Sequence, residues 1–347
     1  MRGMPERKIP HAGLVATLAV GLPVAVLVVW PQAFGAQRAP VISQLLAFRA
    51  PLALGVGTVA VLAAAAAAVG ARLRRRWGIA AGMAIVLAVA SLATGAVLLA
   101  RGTDGSDAAV PGVPDGGLTV LAWNTQGGAT PPADVARLVR ATGADIVSLP
   151  EMDDDAAADV ARLVAAGGRR MASDTTYGAT GDSWIPTSVL IAEDLGGYRR
   201  DTSAGSTPGL PSGVWKPVDG TGPTIVAAHA APPLFKFLDD WRAGLRWIAR
   251  TCDAPGVIVA GDLNATVDHL SGLGADSGSL IGRCQDAALQ AGAGSVGTWP
   301  ADVPSWLAAP IDHVLVGSGW RARSLRVLDA PDGGTDHRPI VAVLDER

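Results

Sequence analysis

The apolar positions of this chain fall into two regimes. Over the first hundred residues they form long unbroken runs: Ala12 to Trp30, Leu52 to Ala71 and Gly78 to Ala100 contain no charged residue. Each run is about 19 to 23 residues, enough at about 1.5 Å per residue to cross a hydrocarbon core of about 30 Å. Three transmembrane helices are therefore expected within residues 1–100. Arg2, Arg7 and Lys8 precede the first run, as they would in a signal peptide. The run is long for such a segment, however, and two more spans follow it, which favours an uncleaved helix.

Beyond Arg101 the pattern changes. "RGTDGSDAAVPGVPDGG" has no apolar period and reads as a flexible linker over residues 101–117. From residue 118 to 347 short apolar runs alternate with helical patterns, as in an α/β domain. "PADVARLVRATG" and "DAAADVARLVAAGG" carry the spacing of amphipathic helices between early strands. Four apolar runs end in a polar residue: "TVLAW" in Asn124, "DIVSL" in Pro150 and Glu151, "TIVAA" in His229, and "VIVAG" in Asp262 with Asn264 beyond it. Two others begin with an Asp–His pair: "IDHVLV" with Asp312 and His313, and the terminal run with Asp336 and His337. If these two lie antiparallel to the other four in a mixed sheet, their beginnings and the others' ends meet along one edge. The residue types form a working set there, with carboxylates and amides for a hard cation and histidines for proton transfer.

Composition and charge narrow this reading. The 347 residues, 49% of them hydrophobic, suffice for a membrane region and one globular domain. Arg2, Arg7, Lys8, Arg72, Arg74, Arg75 and Arg76 place seven positive residues on one side of the three spans, against Arg38, Arg49 and Arg101 on the other. By the positive-inside rule the amino terminus is cytoplasmic and the domain after Arg101 lies outside. Nine of the 28 Lys and Arg and one of the 31 Asp and Glu precede Arg101, which leaves 19 against 30, a balance of −11, for the remainder. A protein that grips duplex DNA nonspecifically usually shows a basic stripe, and none is evident.

"LAWN", "SLPE", "AAHAAP", "VAGDLN", "IDHVLV" and "TDHRPI" follow one another in the order of the motifs of the endonuclease/exonuclease/phosphatase superfamily. The domain from about Leu118 to Leu344 resembles that family, which includes secreted deoxyribonucleases, apurinic endonucleases, sphingomyelinases and inositol phosphatases. The resemblance implies a four-layer α/β sandwich, two mixed β-sheets face to face with helices outside. It implies a divalent-metal-dependent phosphoesterase using Mg2+, or alternatively Mn2+, on a phosphodiester or phosphomonoester. Glu151 would be the principal metal ligand, with Asn124 beside it and Asp336 supporting the metal or His337. His337 would act with Asp312, and His229 would be a second proton-transfer or phosphate-binding group. Asp262 and Asn264 would position the attacking water and the phosphoryl oxygens. Where some members have an acidic residue two places after the first Asn, this chain has Gln126, which implies one weakly held ion rather than two.

The expected location is a multi-pass position in the cell membrane through residues 12–100, with the catalytic domain outside the cytoplasm. A nuclease acting on DNA or RNA is an alternative, and a catalytically silent tethered binding module is another. No dinucleotide fingerprint, P-loop or Cys/His zinc spacing is present. Asp153, Asp154 and Asp155 suit a helix amino terminus. His313 points to the face opposite Asp312 if its strand is regular. Trp299 is placed either in the pocket or in the core. Cys252 and Cys284, the only cysteines, are either a disulfide or two buried thiols.

Overall fold

The computed structural model describes residues 11–73, 77–105, 117–178, 185–330 and 334–347. Three of the four arginines of "RLRRRW" and the basic amino terminus, on which the expected orientation depends, lie outside the described residues.

The chain divides into two compact units: one of residues 1–37 and 48–100, the other of residues 38–47 and 101–347. Four helices open it: α1 (His11–Val29), α2 (Ile42–Ala47), α3 (Arg49–Arg72) and α4 (Gly78–Arg101). Among the described residues α1, α3 and α4 are long and apolar enough to cross a membrane, with mean hydropathies of 2.5, 2.3 and 2.4 in their spanning windows. Val20, Val61, Leu62, Leu92 and Leu99 point outward from these helices, as lipid-facing side chains would.

The second unit holds the strands β1 (Leu118–Ala122), β2 (Ile146–Pro150), β3 (Met171–Thr176), β4 (Thr187–Ala192), β5 (Tyr198–Arg200), β6 (Gly213–Pro217), β7 (Thr224–His229) and β8 (Val257–Asp262). It continues with β9 (Leu273–Gly274), β10 (Ile281–Gly282), β11 (Gln285–Asp286), β12 (Asp312–Val316), β13 (Trp320–Val327) and β14 (Ile340–Glu346). Its helices are α5 (Pro132–Thr142), α6 (Asp154–Ala165), α7 (Leu238–Thr251), α8 (Val267–Leu270) and α9 (Ala287–Gln290). Twelve of the described strands form two six-stranded mixed sheets, ordered β13-β14-β1-β2-β4-β3 and β11-β12-β8-β7-β6-β5, and β9 and β10 pair in parallel by themselves.

Strand parity explains the layering. In β1, Leu118, Val120 and Ala122 face the core between the sheets, whereas Leu121 and the following Trp123 face the helices α5 and α6. In β8, Ile258 and Ala260 face inward, whereas Val257 and Val259 pack toward α7. Both faces of each central strand are thus covered, which is why these strands read as unbroken apolar runs. Four layers result: two helices, a sheet, a second sheet, and a helix.

The six strands expected at one edge are shared between the sheets. β1 pairs with β2 in parallel and with β14 antiparallel in the first sheet; β8 pairs with β7 in parallel and with β12 antiparallel in the second. Each sheet therefore delivers two strand ends and one strand beginning to the same rim.

Two segments lie differently from their place in the sequence pattern. Residues 38–47, between the first two apolar helices, pack with the α/β unit. Residues 101–105 also join that unit: the backbone N–H of Asp104 donates to Gly292 (3.0 Å), and that of Val327 donates to Gly105 (2.9 Å). The remainder of the expected linker, residues 106–116, lies outside the described residues.

Cys252 and Cys284 are bonded, with Cα atoms 5.5 Å apart. The bridge closes a separation of 32 residues and ties the end of α7 to the turn after β10. Loop closure of that length contributes about 2–4 kcal/mol to stability. Alkylation of the unreduced, denatured protein is therefore expected to label neither cysteine, and mass spectrometry showing two alkylated thiols would contradict the bond.

Candidate active site

Parity and register carry the polar strand ends to one place. Asn124 continues the inward-facing series of Val120 and Ala122. His229 continues that of Ile225 and Ala227, and Asp262 that of Ile258 and Ala260, while Asp312 begins that of Val314 and Val316. His229 is the register partner of Asp262, and Asp262 of Asp312, so the three form one row across the second sheet. Asn124 faces that row from the first sheet, its Nδ2 3.1 Å from Asp262 Oδ2 and 3.0 Å from Glu151 Oε1.

Gly261 permits the row to close. Its φ is +145°, and a Cβ there would lie 2.0 Å from the carbonyl oxygen of Ala228. No larger residue fits at that point in the "GDLN" turn.

His337 lies three residues before β14 and completes the cluster. Its Nδ1 is 2.9 Å from Asp312 Oδ2, and its Nε2 is 3.8 Å from Asp262 Oδ2 and 3.9 Å from Asp336 Oδ1. His229 Nε2 is 3.8 Å from Glu151 Oε1 and 3.9 Å from Asp262 Oδ2. The Asn264 backbone N–H donates to Asp262 Oδ1 (2.8 Å), and its side chain donates to the Ala230 carbonyl (3.0 Å). All eight residues singled out in the sequence, Asn124, Glu151, His229, Asp262, Asn264, Asp312, Asp336 and His337, thus meet at one rim.

The electrostatics divide the two histidines. Burial pulls His229 down to about 3; the charge on His337 acts in the same sense, and Asp312 opposes it. For His337 burial also opposes the charge, but Asp312, Asp262, the Asp312 hydrogen bond and Asp336 carry it up to about 10. Burial and then Asp312 push Asp262 up to about 7, against the relief supplied by His337 and by donors from Asn264 and Asn124. At neutral pH the rim holds a neutral His229 and an imidazolium at His337.

The donor set fits a hard divalent cation. Four carboxylates, Glu151, Asp262, Asp312 and Asp336, surround one imidazolium, and burial together with the Asp312 charge raises Asp262. Among the described residues Asp312 Oδ1 and His229 Nδ1 are buried without a hydrogen-bond partner. Asp262, Asp312 and His337 offer ligand atoms within 4.8 Å of one another. Asp312 Oδ2 is already held by His337, however, and Glu151 and Asp336, with side chains 21% and 41% exposed, are the carboxylates open to an incoming ion. Oxygen ligands of this kind, with room for retained water, suit Mg2+.

Backbone strain marks the same rim. Gln126, Glu151 and Asn264 have φ of +52°, +66° and +47°, three of the four positive-φ non-glycine residues among those described. Such conformations cost about 1–3 kcal/mol each and persist only where the surroundings impose them.

Several supporting residues were not legible as such. Gln126, singled out only as a departure from the family pattern, accepts at Oε1 from the Asp336 backbone N–H (3.0 Å) and donates its own N–H to Asn124 Oδ1 (3.0 Å). Trp299 donates from Nε1 to Asp336 Oδ2 (2.8 Å), which places it at the rim. Trp123 donates to the His337 carbonyl (3.0 Å), and Trp241 to that of Asn264 (3.0 Å). Trp123 and Trp241 reach the site from the helical layers, so local spacing carries no signal of them, whereas Trp299 resolves to the pocket side of the two places the sequence left open.

His313 and the acidic run stand apart. His313 donates from Nδ1 to Asp286 Oδ2 (2.6 Å) and from Nε2 to the Ala265 carbonyl (2.7 Å), so it is a buried imidazolium behind the sheet. Asp153 caps α6 by accepting from the Ala156 N–H (2.8 Å).

Several solved structures are similar to this chain, and the first of them shares its fold. A crystal structure described as an endonuclease/exonuclease/phosphatase from Bacteroides vulgatus is 16% identical, covers 67% of this chain and 99% of its own, and superposes with a TM-score of 0.51. One from Beutenbergia cavernae is 19% identical, covers 66% of this chain and 72% of its own, with a TM-score of 0.49. A mannosyl-6-phosphatase from Bacteroides thetaiotaomicron is 15% identical, covers 66% of this chain and 99% of its own, with a TM-score of 0.46. No curated protein sequence matches the chain. The family model described as Endonuclease/Exonuclease/phosphatase matches residues 121–337, which run from the strand that carries Asn124 to His337 itself, and the chain belongs to that family.

Proposed function

We propose that this protein is a membrane-anchored phosphoesterase that uses a divalent cation, Mg2+ in the first instance, with its catalytic domain outside the cytoplasm. Members of the family hydrolyse phosphate esters. The observation that carries the reading is the opposition, across one rim, of the Asp312–His337 pair (2.9 Å) and the Glu151–Asn124 pair (3.0 Å), with Asp262 between them.

When bound, the cation supplies Lewis-acid stabilisation of a phosphoryl oxygen. Glu151, Asn124 and Asp336 are the residues proposed to hold it. His337, fixed by Asp312 and kept protonated, donates a hydrogen bond to the phosphoryl group and neutralises its developing charge. Asp262, pushed up to about 7, is matched to accepting a proton from water near neutral pH, and Asn264 holds one of its oxygens in place. The neutral His229 offers a hydrogen bond without adding charge. The balance of −11 after Arg101 argues for a substrate recognised at its phosphate group rather than gripped along a polyanion.

Purified full-length protein in detergent, assayed on bis-nitrophenyl phosphate, nitrophenyl phosphate, DNA, RNA and phospholipid, is expected to hydrolyse at least one of these with Mg2+ or Mn2+ and none with EDTA. Hydrolysis that EDTA leaves intact would overturn metal use, and no turnover of any ester with either metal would favour the silent binding module. The outside position follows from the seven-to-three distribution of Lys and Arg. A carboxyl-terminal reporter active only in the cytoplasm would reverse it.

A further inference from the structure

The segment between the first two apolar helices is bonded into the catalytic unit. Arg38 Nη1 donates to the carbonyls of His269 (2.6 Å) and Ser271 (2.9 Å), at the end of α8. The Arg38 carbonyl accepts from Arg242 Nε (3.0 Å) and Nη2 (2.6 Å) on α7. His269 Nε2 meets the Ser43 carbonyl at 2.9 Å, and Gln44 Nε2 donates to the Pro233 carbonyl. Arg101 forms two hydrogen bonds with the buried Asp268 of α8, at 2.8 and 2.6 Å. Ala47 is two residues from Arg49, where α3 begins, and Arg101 ends α4.

The same face presents an unusual surface. The loop from Pro232 to Phe237 leaves β7 directly after the His229 strand, and there Phe235 is 71% and Leu234 50% exposed, with Lys236 exposed beside them. Arg242 and Arg246 lie one turn apart on α7, and Arg246 is exposed. The bonds from Arg242 to the Arg38 carbonyl and the one-turn spacing of Arg242 and Arg246 place the three cations in one neighbourhood, and burial and the two neighbouring charges hold the Arg38 guanidinium below its usual range. Asp239, bonded to Arg242 at 3.1 Å, and Asp240 beside it are the acids of this first turn of α7, against the four cations. In a region with a balance of −11, a cationic patch flanking two outward apolar side chains matches the boundary between lipid headgroups and acyl chains.

We propose that this face docks on the bilayer surface, with Leu234 and Phe235 in the interfacial layer and the exposed Lys236 and Arg246 against anionic phospholipid headgroups, Arg38 and Arg242, bonded within the face, adding their charge. The proposal rests on the membrane-anchored reading and does not depend on catalysis.

The test uses the full chain in nanodiscs, with a nitroxide on Phe235→Cys and, as control, on Arg162→Cys in α6, the helix beyond the other sheet. The native cysteines are bonded to each other and leave the label single. In discs containing phosphatidylglycerol the label at 235 is expected to be several-fold more accessible to oxygen than to a water-soluble nickel chelate, with the opposite ratio at 162. Arg246→Glu, or discs of phosphatidylcholine alone, should move the ratio at 235 toward that of the control. An inserted chain whose two labels behave alike overturns the proposal, as does a ratio at 235 indifferent to both lipid charge and Arg246→Glu. Release of the chain from membranes by an alkaline wash would instead overturn the membrane anchor itself.

Discussion

His337→Ala is expected to lower phosphate-ester turnover by about 10²- to 10³-fold, the range for losing one positioned donor to a developing oxyanion, and to leave a metal-assisted residue of activity. The ring lies at the rim with Nδ1 held by Asp312 and Nε2 directed at Asp262 and Asp336, so it is oriented by carboxylates on two sides. Its loss also leaves the carboxylates without their imidazolium, which should tighten rather than weaken cation binding. Asp312→Asn tests the partner separately. It removes the strongest influence that raises His337, so the imidazole titrates lower. An acid that must be protonated then fails at lower pH, and the alkaline limb of the pH–rate profile should shift downward. Near-normal turnover in His337→Ala, with folding verified by circular dichroism, would reduce the Asp336–His337 pair to strand-edge decoration.

Much of this site is legible in the sequence because strands alternate. Once the runs ending in Asn124, His229 and Asp262 are read as strands, their polar ends fall on the faces of Val120, Ile225 and Ile258, the face between the sheets. The same rule excludes His313 from the rim, and it lies behind the sheet on Asp286. The division of the six strands into two sheets is not legible from strands alone, since each sheet presents the same pattern of two ends and one beginning. Glu151 has no parity, because the chain turns at φ +66° just past β2. Trp299, left between pocket and core by the sequence, reaches the rim at Asp336, whereas Trp123 and Trp241 reach it through tertiary contacts of which their spacing in the chain gives no indication. The docking of residues 38–47 on α8 was hidden for a similar reason: Arg38 bonds carbonyls more than 200 residues away, and backbone acceptors leave no pattern of side chains.

Glu151→Gln should act through the metal rather than through proton transfer. The substitution keeps the size of the side chain and removes its charge, and Gln places either an amide oxygen or an amide nitrogen where Oε1 now accepts from Asn124 Nδ2 at 3.0 Å. If the nitrogen takes that place, the bond to Asn124 is lost; if the oxygen does, the nitrogen faces the cation site. Either outcome weakens a divalent ion. The main chain should stay as it is, because the Glu151 N–H donates to the Pro186 carbonyl (2.8 Å) independently of the side chain. The half-saturating Mg2+ concentration is expected to rise by at least the 10- to 100-fold typical of losing even a supporting group at a metal site, about 1.4–2.8 kcal/mol. At saturating Mg2+ the variant should recover part of the wild-type turnover, whereas His337→Ala should not recover at any Mg2+ concentration. Titrating turnover against Mg2+ for wild type and both variants separates the two roles. An unchanged Mg2+ midpoint in Glu151→Gln, with turnover merely scaled down, would move the metal away from Glu151 and toward the Asp262, Asp312 and His337 cluster.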